Sequence, residues 1–277
     1  DITLNNTNTF TGAVALNTTG STGNALVDNG TTALNVAAST VGGNLTLTSG
    51  HASGITDSGT VTVGGNLVAT TDDNSGVINL GTLAVDGTVA LTTNGSGNAT
   101  LVNDAGLNFA ASTVGGTLSA TATLGNMTDS GALTIAGTSS FTTSANNAYI
   151  ILNNANALTG AVSFNTTGSS GYALVDNGTT ALNVGASSVG GNLTLTSGHA
   201  SGITDSGTVT VGGNLTATTD ANSGVINLGT LAVDGTVALT TNGTGNATLV
   251  NDAGLNFAAS TVGGAFNATA TTGNMTD

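Results

Sequence analysis

Aspartate is the residue type with which this chain could hold a metal ion or carry out acid–base chemistry. All 14 acidic residues are Asp, and the chain has no Lys, Arg or Cys. The two histidines, His51 and His199, occupy equivalent loop positions, and a lone loop histidine is more typical of exposed polar filler than of a general base. No Ser, His and Asp share a spacing that indicates a catalytic triad.

The best case for an enzyme is a pair of carboxylates, which many glycoside hydrolases use. Such sites usually also need cations or aromatic platforms for the sugar, and this chain has no cation and only six Phe and two Tyr. Near-perfect repetition is also a poor way to build one unique active site. We therefore expect that the protein is not an enzyme, with no catalytic residues and no bound cofactor.

An Asp or Asn follows an apolar residue and a spacer at one point of each short repeat. If these residues stack as one column, two pairs of Asp meet in consecutive turns, and a cation between them would relieve their repulsion. The main interpretation is a structural ladder; the alternative is weak Ca²⁺ binding at Asp28, Asp57, Asp176 and Asp205. The predicted column consists of Asp28, Asp57, Asn79, Asn103, Asp129, Asn153, Asp176, Asp205, Asn227, Asn251 and Asp277.

The stretch 82–95, TLAVDGTVALTTNG, shows which elements would position these side chains. Leu83, Val85, Val89 and Leu91 share one parity, small polar residues take the other, and Asp86-Gly87 marks a bend. Strict alternation predicts half-buried β-strands. Versions of the stretch recur eleven times, with spacings of 31, 22, 22, 29, 21 and 23 between the first seven glycine anchors; the anchors are Gly12, Gly43, Gly65, Gly87, Gly116, Gly137, Gly160, Gly191, Gly213, Gly235 and Gly264.

A repeat of 20 to 30 residues with variable insertions is typical of a solenoid. About 22 residues per turn predicts a right-handed parallel β-helix, an all-β fold of about eleven coils of 21–31 residues. Each coil is expected to hold three short strands; in the coil after Gly65 these contain Leu67 and Ala69, then Val77 and Asn79, then Leu83 and Val85. No Pro interrupts the strands, as an uninterrupted ladder requires.

A longer repeat of 148 residues is superimposed on the short one. Residues 1–129 align with 149–277 without a gap, and 111 of the 129 positions match. We therefore expect a single continuous β-solenoid over 1–277, with one complete long repeat (1–148) and a partial second copy (149–277). Neither end shows an atypical capping repeat, so we expect an excerpt of a longer array or a subunit that stacks on copies of itself.

The composition excludes several partners. A formal net charge of −14 without any cation leaves nothing to neutralise nucleic-acid phosphates or to dock on anionic membranes. No apolar run approaches the roughly 20 residues of a membrane-spanning helix, so we expect no membrane insertion in this segment. The chain is 38% hydrophobic, and the regular spacing of these residues argues against disorder.

The repeats resemble those of very large bacterial surface proteins, the filamentous-haemagglutinin-like adhesins and related β-strand-repeat exoproteins. The resemblance covers essentially the whole chain and is carried by residues 41–50 (VGGNLTLTSG), 128–137 (TDSGALTIAG) and 209–215 (VTVGGNL). It implies a β-helix that is secreted and serves adhesion, aggregation or matrix formation at the cell surface. It does not name a receptor, an organism or an export route.

The function expected from these observations is mechanical. We expect the structural shaft of an extracellular filament or giant adhesin, which contacts copies of itself end to end or side by side and reaches a host or neighbouring cell. The first alternative is a self-polymerising fibre subunit, because exposed terminal strands can add to one another. The second is a β-helical polysaccharide-active enzyme. Ice binding is a third, although the uneven coil lengths argue against a regular array of Thr-x-Thr pairs.

Overall fold

The computed structural model describes residues 1–277 in two compact units, Asp1–Gly137 and Thr138–Asp277. The first unit contains strands β1 (Ile2–Leu4), β2 (Ala25–Asp28), β3 (Leu34–Val36), β4 (Ser39–Val41), β5 (Leu45–Ser49), β6 (Ile55–Asp57), β7 (Val61–Val63), β8 (Leu67–Thr71), β9 (Ile78–Val85), β10 (Thr88–Thr93), β11 (Ala99–Asn103), β12 (Leu107–Phe109), β13 (Ser112–Val114), β14 (Leu118–Ala122), β15 (Met127–Asp129) and β16 (Leu133–Ile135).

The second unit repeats this order of short strands. It contains β17 (Ser139–Asn146), β18 (Ile150–Leu152), β19 (Ala157–Leu158), β20 (Val162–Thr167), β21 (Ala173–Asp176), β22 (Leu182–Val184), β23 (Ser187–Val189), β24 (Leu193–Ser197), β25 (Ile203–Asp205), β26 (Val209–Val211), β27 (Leu215–Thr219), β28 (Ile226–Val233), β29 (Thr236–Thr241), β30 (Ala247–Asn251), β31 (Leu255–Phe257), β32 (Phe266–Ala270) and β33 (Met275–Thr276). The prediction of one continuous solenoid across both units stays a prediction.

The strands pair in parallel with strands of the neighbouring turns, which confirms the right-handed parallel β-solenoid. The two units together contain about 12 turns and no helix. Paired residues lie between 19 positions apart, as for Ala99 and Leu118, and 23 positions apart, as for Ile55 and Ile78. The turns are therefore more even in length than the glycine spacings of 21 to 31 suggest.

The difference arises because the glycine anchors do not form one column. The backbone amides of Gly43, Gly65 and Gly87 donate to the carbonyls of Gly23, Gly43 and Gly65, respectively, each of which lies one turn earlier. Gly116, however, donates to Gly97 rather than to Gly87. The long spacings therefore each contain a further corner glycine, Gly23 or Gly97, that is not among the predicted anchors. The second unit repeats the arrangement at Gly171 and Gly245.

Several turns combine one straight strand in one sheet with two short strands in the other, whereas β8 with β9 and β10 with β11 form turns of one strand on each side. The sheet that holds the short pair changes within each unit. In the first unit β5 and β8 are straight, while β6 and β7 are the short pair opposite them. The strand β9 pairs with both members of that pair, and β10 then pairs with both β12 and β13. The predicted three strands occur in turns such as that of β5, β6 and β7, but in the coil after Gly65, which served as the example, the second and third predicted strands form one strand, β9.

The interior of each unit is apolar and follows the predicted alternation. Leu47 pairs with Ala69 and Ala69 pairs with Leu91, so a small side chain separates two large ones, and all are fully buried. In the second unit Phe141 and Phe164 stack at 6.1 Å between ring centroids. The prediction that Val77 and Asn79 form the inner side of their strand is wrong: β9 turns Ile78 and Leu80 inward, whereas Val77 is half-buried and Asn79 is exposed.

We expect Gly115→Ala to destabilise the first unit, because the new methyl group would overlap the carbonyl oxygen of Gly95 on the neighbouring turn. Overpacking of this kind costs about 1–3 kcal/mol. Gly12→Ala is the matched control, because nothing lies within 4 Å of its added methyl group. Urea unfolding followed by circular dichroism measures both; equal midpoints for the two variants would contradict the prediction.

Candidate functional site

The structure does not bring together the aspartates of the predicted calcium site. Asp28 lies in β2 and pairs with Thr48, whereas Asp57 lies in β6 on the other sheet and pairs with Val36. The second unit has the same separation, with Asp176 in β21 and Asp205 in β25. The predicted contact between Asp28 and Asp57 is therefore wrong, because the two residues terminate strands on different sides of the turn.

Asp57 instead joins two turns at a corner. Its Oδ1 accepts a hydrogen bond from the Gly81 amide at 3.0 Å, and its Oδ2 accepts from the amide and the hydroxyl of Thr82 at 2.7 and 2.8 Å. These donors lie where β9 passes the gap between β6 and β7. Asp205 makes the same three bonds with Gly229 and Thr230, so the carboxylate closes a corner in both units.

Asp28 stabilises its own turn, since its Oδ1 accepts from the Gly30 amide at 2.8 Å. It lines a shallow surface hollow together with Asp72 and Asp73. Nowhere in the chain do three His, Cys, Asp or Glu side chains come close enough to hold a metal ion. The equivalent of Asp73 in the second unit is Ala221, so even this loose acidic group is not repeated.

The predicted Asp/Asn column contains residues with different environments. Asn103 and Asn251 are fully buried and Asp129 is 8% exposed, whereas Asn79 and Asn227 are exposed. The same sequence pattern therefore occurs at two kinds of position: buried inside a corner, and exposed on the outer side of a strand. A single stacked column of these residues is not present.

Buried asparagines clamp the turns from inside. Asn103 accepts a hydrogen bond from the Val85 amide at 2.9 Å and donates to the Val85 and Gly106 carbonyls at 3.1 and 2.6 Å. Its side-chain amide therefore makes the kind of hydrogen bonds that a backbone peptide group makes between paired strands. Asn251 makes the equivalent bonds. Asn29 and Asn177 act in the same way; the sequence pattern does not single them out, because the Asp beside each fits it.

A second asparagine ladder runs along an outer corner. The Oδ1 atoms of Asn24, Asn44 and Asn66 each accept the backbone N–H of the next turn at 2.8 Å. Asn192 and Asn214 do the same in the second unit. The expected Asn ladder therefore exists, but it is built by the Asn that directly follows the corner glycine rather than by the predicted column.

Beside this ladder each unit has an uncharged outer surface, which we name the Asn/Thr face. Thr48, Thr70, Thr92, Thr113 and Thr134 pair in sequence in the first unit, one on each turn. The second unit has a similar series at Thr196, Thr218, Thr240 and Thr261. The residues of the face, from the outer strand positions of both units, are Asn44, Thr46, Thr48, Asn66, Val68, Thr70, Thr88, Ala90, Thr92, Thr113, Thr134, Asn192, Thr194, Thr196, Asn214, Thr216, Thr218, Thr236, Ala238, Thr240 and Thr261.

The histidines shape their loops. His51 is exposed, and its Nδ1 accepts a hydrogen bond from the Ser53 amide at 3.0 Å. Its backbone carbonyl accepts from Gly54. His199 makes the same contact with Ser201 at 3.0 Å. This arrangement holds the imidazole as part of a turn.

A family model described as repeats of unknown function (DUF5649) matches residues 22–74, 96–165 and 171–228, which together make up more than half of the chain. The chain belongs to this family. The DUF5649 matches begin and end within turns that the structure shows to be solenoid. No curated protein and no solved structure matches the chain. The structure contains no helix of the length and apolar character needed to cross a bilayer.

We expect Asn103→Ala to lower the free energy of unfolding by about 2–4 kcal/mol, because it leaves the buried Val85 N–H and two carbonyls without their partner. Asn79→Ala is the control, since Asn79 is exposed and surface substitutions usually change stability by less than about 0.5 kcal/mol. Urea unfolding measures both changes. Similar losses for the two variants would mean that the predicted single column is a better description.

We expect Asp57→Asn to cost about 1–2 kcal/mol, because an Asn amide nitrogen cannot accept both the Thr82 amide and hydroxyl protons that Oδ2 accepts now. The loss should be the same in excess calcium and in a chelator. Asp86→Asn, at an exposed position, removes the same charge as a control. Thermal unfolding measures the effect; a loss seen in calcium alone would restore the metal-binding hypothesis.

Proposed function

We propose that these DUF5649 repeats form the structural shaft of an extracellular filament or giant adhesin and carry out no catalysis. The observation that carries the proposal is that the same contacts recur in both units. Asp57 and Asp205, for example, close equivalent corners with distances that agree within 0.1 Å. A catalytic site requires a unique arrangement, whereas a shaft requires the same arrangement at every step.

The hydrogen bonding within each unit supports a load-bearing role. Backbone bonds join each turn to the next, and side-chain bonds reinforce the corners from inside through Asn103 and from outside through Asn44 and Asn66. Separating two turns therefore breaks several parallel bonds at once instead of one after another. Stability in such arrays grows with the number of stacked repeats.

The Asn/Thr face supports side-by-side packing of shafts. In each unit its Asn, Thr, Val and Ala side chains carry no charge, although the chain as a whole carries −14. Two copies that meet through these faces bring together the uncharged side chains of the Thr columns, each of which has an aspartate at one end, Asp28 beside Thr48 and Asp176 beside Thr196. The register of the face is regular because the length differences between turns are absorbed at the corners, as the Thr48–Thr70–Thr92 pairing illustrates.

The extracellular location and the role in adhesion rest on composition and resemblance. A chain without Lys or Arg offers no cleavage site to trypsin-like proteases, which suits a protein exposed outside the cell. The repeats also resemble those of giant bacterial surface adhesins. Copies of the same chain and the surface of a neighbouring or host cell are the partners that this proposal names.

The proposal predicts that the native polypeptide carrying these residues has a mass of hundreds of kilodaltons and appears as stiff, thin fibres in electron micrographs. Mass spectrometry of the native protein and microscopy of the same preparation measure this. A mass near 26 kDa with long filaments would favour the self-polymerising subunit instead. A mass near 26 kDa without filaments would overturn the shaft proposal.

A further inference from the structure

We propose that Asn94 and Asn242 are sites of spontaneous deamidation, whereas Asn29 and Asn177 are protected from it by the fold. These four residues are the asparagines of the chain that directly precede glycine, and each is followed two positions later by Ser or Thr. Their local sequences are therefore nearly the same, and any difference in reactivity must come from the structure. The proposal is independent of the proposed shaft function.

The reaction needs no cofactor and no redox partner. The backbone nitrogen of the glycine attacks the side-chain Cγ of the asparagine, a C–N bond forms, and ammonia leaves with the former amide nitrogen. Water then opens the resulting succinimide at either carbonyl and yields aspartate or isoaspartate. Glycine favours the attack because it has no Cβ to obstruct the approach. The product carries one additional carboxylate, which is ionised at neutral pH.

In the turn that contains Asn94, the two reacting groups are the Asn94 side-chain amide and the Gly95 backbone nitrogen, and no hydrogen bond restrains either of them. Asn94 and Gly95 are both exposed, Gly95 has φ of 55°, and the turn is closed by a hydrogen bond from the Gly97 amide to the Asn94 carbonyl at 3.0 Å. The Asn94 side chain and the Gly95 amide make no hydrogen bond. Asn242 lies in the equivalent turn, where its side chain has one long contact of 3.4 Å with the Ser223 amide.

Asn29 has both reacting groups engaged. Its side chain is 0% exposed; it accepts from the Phe10 amide and donates to carbonyls that include Phe10 and Ala33. The attacking nitrogen, that of Gly30, donates to Asp28 Oδ1 at 2.8 Å. Asn177 and Gly178 repeat this arrangement. Reaction would require breaking all of these bonds inside the corner.

The location of Asn94 gives the modification a structural consequence. The Gly95 carbonyl lies so close to Gly115 of the neighbouring turn that a methyl group on Gly115 would overlap it. Isoaspartate inserts one more atom into the main chain at this point, so the tight contact between the two glycines must loosen. Each unit thus carries one corner that opens slowly with age and gains a negative charge.

The test uses the full chain and no substitution. The native protein is incubated in ¹⁸O-labelled water at mildly alkaline pH, digested with chymotrypsin and analysed by mass spectrometry, with an isoaspartyl methyltransferase assay of the same peptides. We expect ¹⁸O incorporation and isoaspartate at Asn94 and Asn242, and rates at Asn29 and Asn177 that are at least about a hundredfold lower, because several hydrogen bonds must break first.

The matched control is the same chain unfolded in urea, where all four sites should react within a few-fold of one another. Equal rates at the four sites in the native protein, or faster reaction at Asn29 than at Asn94, would overturn the proposal. Asn94→Gln provides a second check, because glutamine cyclises far more slowly. That variant should lose the modification at 94 and keep it at Asn242; unchanged isoaspartate in the peptide would also contradict the assignment.

Discussion

The whole structure depends on one constraint: each turn must present its backbone to the next turn in register, at every corner as well as along every strand. Backbone N–H and C=O groups inside a protein need partners, and here those partners lie about 20 residues away in the chain. At the corners the turns approach so closely that a Cβ would overlap a carbonyl at Gly115, and nearly so at Gly64. Glycine at these points is therefore a steric requirement.

The same constraint explains which parts of the fold could be predicted. Alternation alone correctly placed Leu83, Val85, Val89 and Leu91 inside, because side-chain parity is a local property of a strand. The order in which glycines stack is not local. Gly87 and Gly116 look alike in the sequence, yet each bonds with a different glycine column, because the bend of the turn passes from one sheet to the other between them. No pattern within a single turn records that change.

The candidate site shows the same limit. An apolar residue, a spacer and an Asp or Asn describe both Asn79, which is exposed outside a strand, and Asn103, which is buried inside a corner. Which role an asparagine takes depends on whether the turn bends before or after it. The following residue does not separate the two roles, since the buried Asn29 and the exposed Asn94 both precede a glycine with positive φ.

The movement of the bend also gives a reason for the length of the long repeat. Successive turns can share one arrangement, as the turn of β2, β3 and β4 and the turn of β5, β6 and β7 do, but within the first unit the split strands then pass to the other sheet at β12 and β13. A copy of one turn would not reproduce this change, whereas a copy of a longer block would. Selection on a shaft would then duplicate such blocks whole and keep them nearly identical, which is consistent with 111 matches in 129 aligned positions.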